Sequence, residues 1–288
     1  MSTTQNVMKP IIDTHVHVWD LEKAAYPWLE NDTSILHRTY AITELESERK
    51  DAGVAKGVLV QAAGNFEDTD GMIKTAKETN WIAGVVGWLP LQHPEAAHKA
   101  YTEKYSKEKY FKGVRHQVHD EADPEWLLQP EVLESLAMLA EYDVPYDLVG
   151  IHPVHIRTAL RVAEKLPQLR MVFDHLNQPP IRNKERFGEW GALMKEAAQH
   201  PNFYAKISGL GTTAGTEWSV NGIQPYIEYA VGHFGEDRCF CGGDWPVALL
   251  ADDYATTWAT YREVFSKILS EAAQDKVFQV NASTFYAL

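Results

Sequence analysis

Cysteine is nearly absent from this chain. Its 288 residues hold two, Cys239 and Cys241, with a single residue between them. That spacing is too short for an ordinary structural disulfide, so no bridge framework is expected, and free thiols point to a reducing, cytoplasmic setting. The sequons beginning at Asn31 and Asn281 then carry no weight. Long apolar runs are missing too. None approaches the roughly 20 residues that a membrane-crossing helix needs. Met1 to Lys9 is polar and lacks the apolar core of a secretory signal, and it reads as a short unfolded tail. Positive charge is also scarce: 27 Lys and Arg face 40 Asp and Glu, a net charge of −13. An acidic surface repels nucleic acid phosphates and anionic lipid, so neither is an expected partner. The sequence leaves the oligomeric state open.

What is present is an alternation. Short β-branched runs at 10–13, 57–61, 82–88, 112–115, 145–149, 170–173, 203–207 and 238–241 are separated by amphipathic stretches. The helical stretches include 43–52, 68–80, 130–142, 154–166, 184–200 and 222–234, and a last long one starts near Asp252. Thr43 with Glu46 three residues on has the form of a capping box. Near-continuous apolar runs suit parallel strands covered on both faces. Eight strand signals, each followed by a helix signal, predict one closed (β/α)8 barrel over 10–288. A doubly wound sheet would usually carry a Gly-rich turn after its first strand, and here that position reads Thr-His-Val-His. The longest connections, 18–42 and 117–129, fall where strands end, which in a barrel is the catalytic face.

His15 and His17 follow the first apolar run. Two residues apart on a strand they share a face, so both imidazoles can project into the barrel mouth. Such a pair can grip a metal or donate hydrogen bonds to a polarised carbonyl. Asp244 follows the eighth run in Cys-Gly-Gly-Asp-Trp-Pro, where two glycines allow a tight turn; a turn or cap aspartate is the plainer alternative. His175 follows the sixth run, and Asp174 beside it is expected to point the other way and brace the barrel wall. Arg115 and His116 end the fourth. Arg115 suits a carbonyl or carboxylate oxygen, or else a structural ion pair. Trp19, Trp88 and Trp245 offer flat faces to a sugar ring, though Trp88 suits the core equally well. Gln61, Asn65 and His116 can hydrogen-bond hydroxyls. Cys239 and Cys241 read as small buried thiols, His93, His98, His200 and His233 as surface, and Gly209-Leu-Gly211 as no true phosphate loop.

The segments Ile-Asp-Thr-His-Val-His-Val-Trp-Asp, Gly-Val-Arg-His, Asp-His-Leu-Asn-Gln-Pro, Tyr-Ala-Lys-Ile-Ser-Gly-Leu, Gly-Gly-Asp-Trp-Pro-Val and Asn-Ala-Ser-Thr-Phe-Tyr run in order through almost the whole chain. In them the chain resembles the amidohydrolase-2 group of TIM-barrel hydrolases, within it the sugar lactonases of L-fucono-, L-rhamnono- and L-galactono- type. The resemblance implies His15, His17, His175 and Asp244 as the active-site set, and as ligands if one divalent ion such as zinc is bound. The strand-four lysine that bridges two metals in many amidohydrolases has no counterpart, since Lys112 precedes Arg115 and His116. A bridged pair of metals is therefore not expected. One divalent ion or none remains, and the resemblance implies an enzyme able to work without a tightly bound metal.

The mechanism these residues imply is hydrolysis of a lactone to an aldonic acid. Asp244 takes a proton from water, the three histidines or an ion polarise the carbonyl, and Arg115 anchors an oxygen. The competing reading is a zinc-dependent, non-oxidative decarboxylase of the same fold, which would need His152 as a ligand. A decayed barrel that only binds, and a phosphotriester or amide hydrolase, fit the residues less well.

Overall fold

Strands that are apolar on both faces cannot end at an open edge without exposing unpaired backbone groups, and closure into a barrel removes the edge. The computed structural model describes residues 10–288 and contains eight strands: β1 (Ile11–Val16), β2 (Val54–Val60), β3 (Ile82–Gly87), β4 (Phe111–His116), β5 (Tyr146–Leu148), β6 (Met171–Phe173), β7 (Phe203–Ile207) and β8 (Cys239–Cys241). They pair in sequence order, each parallel to the next. The helices outside them are α1 (Glu46–Asp51), α2 (Phe66–Glu78), α3 (Pro94–Glu103), α4 (Pro130–Glu141), α5 (Pro153–Lys165), α6 (Gly188–Ala197), the short α7 (Leu210–Ala214), α8 (Val220–Phe234) and α9 (Tyr254–Ile268). Two short helices, α10 (Glu271–Asp275) and α11 (Asn281–Phe285), complete the chain. This is the expected (β/α)8 architecture. The expected tail, 1–9, lies outside the described residues, among which no helix is long and apolar enough to cross a membrane.

Several local expectations shift. Glu44, not Glu46, caps the turn before α1, its Oε1 accepting the Ala41 N–H at 3.0 Å. Asp253 rather than Asp252 starts α9, accepting the Thr256 N–H at 2.6 Å. α2 begins at Phe66 because Asn65 is its N-cap: Oδ1 accepts the Asp68 N–H at 2.8 Å, and Nδ2 donates to the Ala25 carbonyl at 2.8 Å. Both ends of the amide are committed, so Asn65 fastens the 18–42 connection to α2 instead of meeting a ligand. Cys239 and Cys241 are buried and unbridged, and burial pushes the Cys239 thiol up to about 12.

Inside the barrel, Ile12, Val58, Val60, Val86, Val172 and Phe240 pack against Phe285 and Tyr286 of the C-terminal segment, which closes the floor. Lys112, at the start of β4, points to this end and donates to the Ala287 carbonyl at 2.9 Å. Above the apolar plug the filling becomes ionic. Lys206 of β7 is fully buried, with Nζ 2.5 Å from Asp147 Oδ2 and 2.7 Å from Asp174 Oδ1. Tyr286 donates its O–H to the same Asp147 oxygen at 2.6 Å, and Arg115 reaches the other Asp174 oxygen at 3.2 Å. Burial alone would raise the Asp174 carboxyl, yet Lys206 foremost, then His15 and Arg115, hold it well below the usual range. Asp174 thus does not brace the outer wall. β6 stops at Phe173, and His175 to Gln178 all take positive φ, so strand alternation no longer sets which way Asp174 points.

Two substitutions probe these contacts. Lys206→Met leaves two buried carboxylates without their shared cation and is expected to cost about 3–5 kcal/mol, read as a drop in the denaturant midpoint. Asn65→Ala removes the α2 cap together with the tie to Ala25, so about 1 kcal/mol of stability or somewhat more is lost, again read as a drop in the denaturant midpoint.

Candidate active site

The barrel closes between its first and last strands, and that seam builds the site. The Asp244 N–H donates to the His15 carbonyl at 2.7 Å, and the His17 N–H donates to the Trp245 carbonyl at 2.7 Å. Thr14 Oγ1 donates to the Cys241 carbonyl at 2.6 Å. Asp13 is buried beneath the seam, one oxygen accepting the His15 and Gly243 N–H groups at 2.9 and 2.8 Å and the other the Tyr254 hydroxyl at 2.7 Å. Burial raises its carboxyl to about 6 despite these bonds. The two glycines before Asp244 serve close approach and not a turn. A Cβ on Gly242 would lie 2.4 Å from the His15 Cβ, and one on Gly243 would lie 2.6 Å from Asp13 Oδ2. The turn is made by Asp244 itself, at φ 58°.

The register of β1 against β2 slips between Asp13 and Val16, and His15, His17 and Asp244 meet just above. The two imidazoles stand edge to face with centroids 4.8 Å apart and Nε2 atoms 3.1 Å apart. His17 Nδ1 is 2.8 Å from the Val60 carbonyl, which can only accept, so Nδ1 carries the proton and Nε2 presents a lone pair. Asp244 Oδ1 is 3.5 Å from His17 Nε2 and 3.8 Å from His15 Nε2. Burial opposes a charge on Asp244, but His175 most strongly, then His17 and His15, bring the carboxyl down to about 2. Burial in turn pushes the His15 imidazole well below its ordinary range and lowers that of His175.

His175 stands against His15 with ring centroids 4.5 Å apart, its Nδ1 2.8 Å from Ser208 Oγ. Its φ of 54° is unusual for a residue with a Cβ. Gly209 makes room for it: at φ +58°, a Cβ there would sit 2.5 Å from His175 Nδ1 and 2.9 Å from Asp244 Oδ2. The Gly209-Leu-Gly211 segment is thus part of the site wall, and no phosphate cradle. Arg115 projects from β4 into the same space. Its Nε donates to Gln61 Oε1 at 3.1 Å, another N–H goes to the Gln61 carbonyl, and Nη1 is 3.2 Å from both Asp174 Oδ2 and His15 Nε2.

Above these groups a cavity of about 200 Å³ opens, lined by His17, Trp19, Arg115, His175 and Asp244 among the expected residues. His15 is fully buried beneath. Gln61 is fully buried as well and orients Arg115, so it meets no hydroxyl. Trp88 and His116 turn to the other side of the strands: Trp88 Nε1 donates to His116 Nδ1 at 3.1 Å, and His116 Nε2 pairs with Glu121 at 2.7 Å while stacking on Trp126. Trp245 is buried edge-on against Tyr40. These three do not line the cavity. His152 is exposed at the start of α5, where the side chain of His155 caps the helix, so the ligand needed by the decarboxylase reading does not join the group.

The cavity also holds Trp28, from the long first connection that the sequence offers as a cap over the pocket, and residues without an assigned role in the sequence: Gln117, His119, Asp120, Gln178 and Thr212. Trp28 crosses Trp19 at 86° with centroids 5.3 Å apart. Lys206 and Asp147 are equally silent in the sequence, where their signal is a lone charge inside an apolar run (Tyr-Ala-Lys-Ile; Pro-Tyr-Asp-Leu). Among the described residues, His15, His17 and Asp244 are able to hold a metal, their ligand atoms lying within 4.8 Å of one another, and His175 stands outside that group. The spacings and the Nε2 lone pair of His17 fit a divalent ion, which these three residues would hold. Arg115 Nη1 competes for the Nε2 of His15.

Known proteins share these features. The sequence model described as amidohydrolase matches residues 12–288. An L-fucono-1,5-lactonase of Burkholderia ambifaria is 31% identical over 280 residues, spanning 96% of this chain and 95% of that protein. Two crystal structures of an amidohydrolase from Burkholderia multivorans, one with bound HEPES and one with bound zinc, are each 27% identical, with TM-scores of 0.88 and 0.87, and each alignment covers 96% of this chain and 99% of theirs. With its barrel, its histidine pair at the end of β1 and its aspartate after β8, the chain belongs to the amidohydrolase family.

Proposed function

We propose that the protein hydrolyses a sugar lactone to the corresponding aldonic acid. The observation that carries this reading is Asp244, a buried carboxylate brought down to about 2 beside three histidines at the base of a cavity. A carboxylate that stays ionised at neutral pH can accept a proton from water, and an ester carbonyl needs less activation than an amide. The similarity to an L-fucono-1,5-lactonase supports the lactone class. His175, which lines the cavity with Asp244, orients the carbonyl and stabilises the oxyanion as water adds. A divalent ion held by His15, His17 and Asp244 would add Lewis-acid polarisation of the carbonyl.

A neutral polyol suits the cavity better than a dicarboxylate. Arg115 is the arginine of the lining, and its fork is largely committed to Gln61 and Asp174, which leaves it no open pair of donors for a carboxylate. Gln117, Gln178 and Thr212 offer neutral polar groups for hydroxyls, and the crossed Trp19–Trp28 pair offers an apolar face for the ring carbons.

Lactone hydrolysis followed with a pH indicator tests this reading. Wild-type protein is expected to turn over L-fucono- and related 1,4- and 1,5-lactones, and Asp244→Asn to lose roughly a thousandfold or more in kcat with the melting transition retained. Substantial activity in Asp244→Asn would remove the base role. Survival of turnover through chelation would assign polarisation to the histidines alone. Gly209→Ala is expected to fold but to displace His175 and Asp244, lowering kcat by roughly a hundredfold; an unchanged kcat would show that the fit around Gly209 is not needed.

A further inference from the structure

Lactone hydrolysis, if it is the reaction proposed above, needs a proton donor at the leaving oxygen as well as a base for water. Opening an aliphatic lactone expels an alkoxide, a poor leaving group that needs a proton as the bond breaks. The carbonyl oxygen and the ring oxygen diverge from the same carbon, so groups gathered on the first do not serve the second. His15, His17 and His175 all gather around Asp244, on the β1, β6 and β8 side of the mouth. Arg115 is committed to Gln61, Asp174 and His15. A donor for the ring oxygen therefore belongs on the wall contributed by β4 and β5, which face β8 and β1 across the barrel.

His119 stands on that wall. It lies in the 3₁₀ turn Val118–Asp120 after β4 and lines the cavity together with Asp244 and His175. Its Nδ1 is 3.3 Å from the Val149 carbonyl at the end of β5, an acceptor only, so Nδ1–H is the donor there. Its Nε2 is 3.6 Å from Asp120 Oδ1, and Asp120 also lines the cavity. The ring lies between the Val149 carbonyl, which its Nδ1–H meets, and the Asp120 carboxylate, within ion-pair distance of Nε2. The side chain is 23% exposed, so solvent can return the proton after each turnover. Its titratable neighbours are Asp120 on the same turn, His116 with Glu121, and His155 on α5.

We propose, resting on the lactonase reading, that His119 is the general acid that protonates the departing ring oxygen, with Asp120 holding its imidazolium. Water adds to the carbonyl carbon and gives a proton to Asp244. As the tetrahedral adduct collapses, the bond from the acyl carbon to the ring oxygen breaks, its electron pair stays on that oxygen, and the oxygen takes the Nε2 proton of His119. The new carboxyl group and Asp244 each release a proton; one restores His119 and the other leaves to solvent. The net change is lactone plus water to hydroxy-carboxylate plus a proton.

The test compares His119→Asn with wild type on one sugar 1,5-lactone and on its 5-thio analogue. The two have nearly the same shape, but a thiolate departs with far less need of a proton. With His119 as the acid, kcat on the oxygen lactone falls roughly a hundredfold or more, kcat on the thiolactone falls less than roughly tenfold, and KM changes little. Asp120→Asn shows the same selective pattern at smaller size. Equal losses on both substrates, or a raised KM with kcat unchanged, make His119 a binding or structural residue and overturn the assignment. Wild-type protein inert on both substrates overturns the lactonase reading and this inference with it.

Discussion

The seam between β1 and β8 is where the chain's two ends must fit at backbone distance. Asp244 reaches the His15 carbonyl through its own N–H, and Trp245 receives the N–H of His17. These bonds join residues more than two hundred positions apart, and they are formed by the same backbone units that carry the site's side chains. Closing the barrel and assembling the histidine–aspartate group are therefore one event. The glycines at 242 and 243 are a consequence, because any side chain there would push β8 away from His15 and Asp13. So is the left-handed backbone of Asp244, which sends the carboxylate across the seam toward His17.

Below the seam the barrel interior carries charge where a packed apolar layer would be the ordinary solution. Removing Lys206, Asp147 and Asp174 from water is costly, and their mutual attraction offsets the cost only while all partners stay in place. A wholly apolar filling has no such condition. What the ionic layer adds is direction. Lys206 and Arg115 both anchor on Asp174, and both come within hydrogen-bonding reach of His15, at 3.5 and 3.2 Å. The ring of His15 is thus held from below as well as from the side. A catalytic group fixed within a fraction of an ångström needs such support from neighbours that are themselves locked.

The architecture is legible in the sequence because short apolar runs and longer amphipathic stretches alternate eight times. His15, His17, His175 and Asp244 are legible because they lie at or just past strand ends. The residues that sequence misplaces share one cause: being near a strand end does not say which face a side chain takes. Arg115 and His116 are adjacent on β4, so at most one of them can enter the barrel, and the inward one is Arg115. For Asp174 and His175 alternation misleads, because β6 has already ended at Phe173 and the residues from His175 on turn left-handed. Lys206 and Asp147 are hidden for a different reason. Each is a single charge in an apolar run, and the two come together only once the barrel has closed. His119 sits in a connection with no periodicity, where position depends on the tertiary path.

The site therefore divides into two parts of unlike mechanical origin. The group around Asp244 is held by seam bonds, by close glycine packing and by the ionic layer, so a change there disturbs the barrel itself. The wall formed by Gln117, His119 and Asp120 hangs on a short 3₁₀ turn, and the Trp19–Trp28 pair belongs to the 18–42 connection, fixed through Trp28 to the Ala62 carbonyl and through Asn65 to Ala25. Loop residues can be exchanged at small cost to stability, whereas the floor cannot. Selectivity among lactones that share a carbonyl but differ in hydroxyls is then expected to reside in the loops. If His119 is the proton donor proposed above, the wall that would read the hydroxyls is also the wall that faces the leaving oxygen. A substrate seated wrongly there would then lose its proton donor as well as its hydrogen bonds, so discrimination would act on turnover as well as on binding.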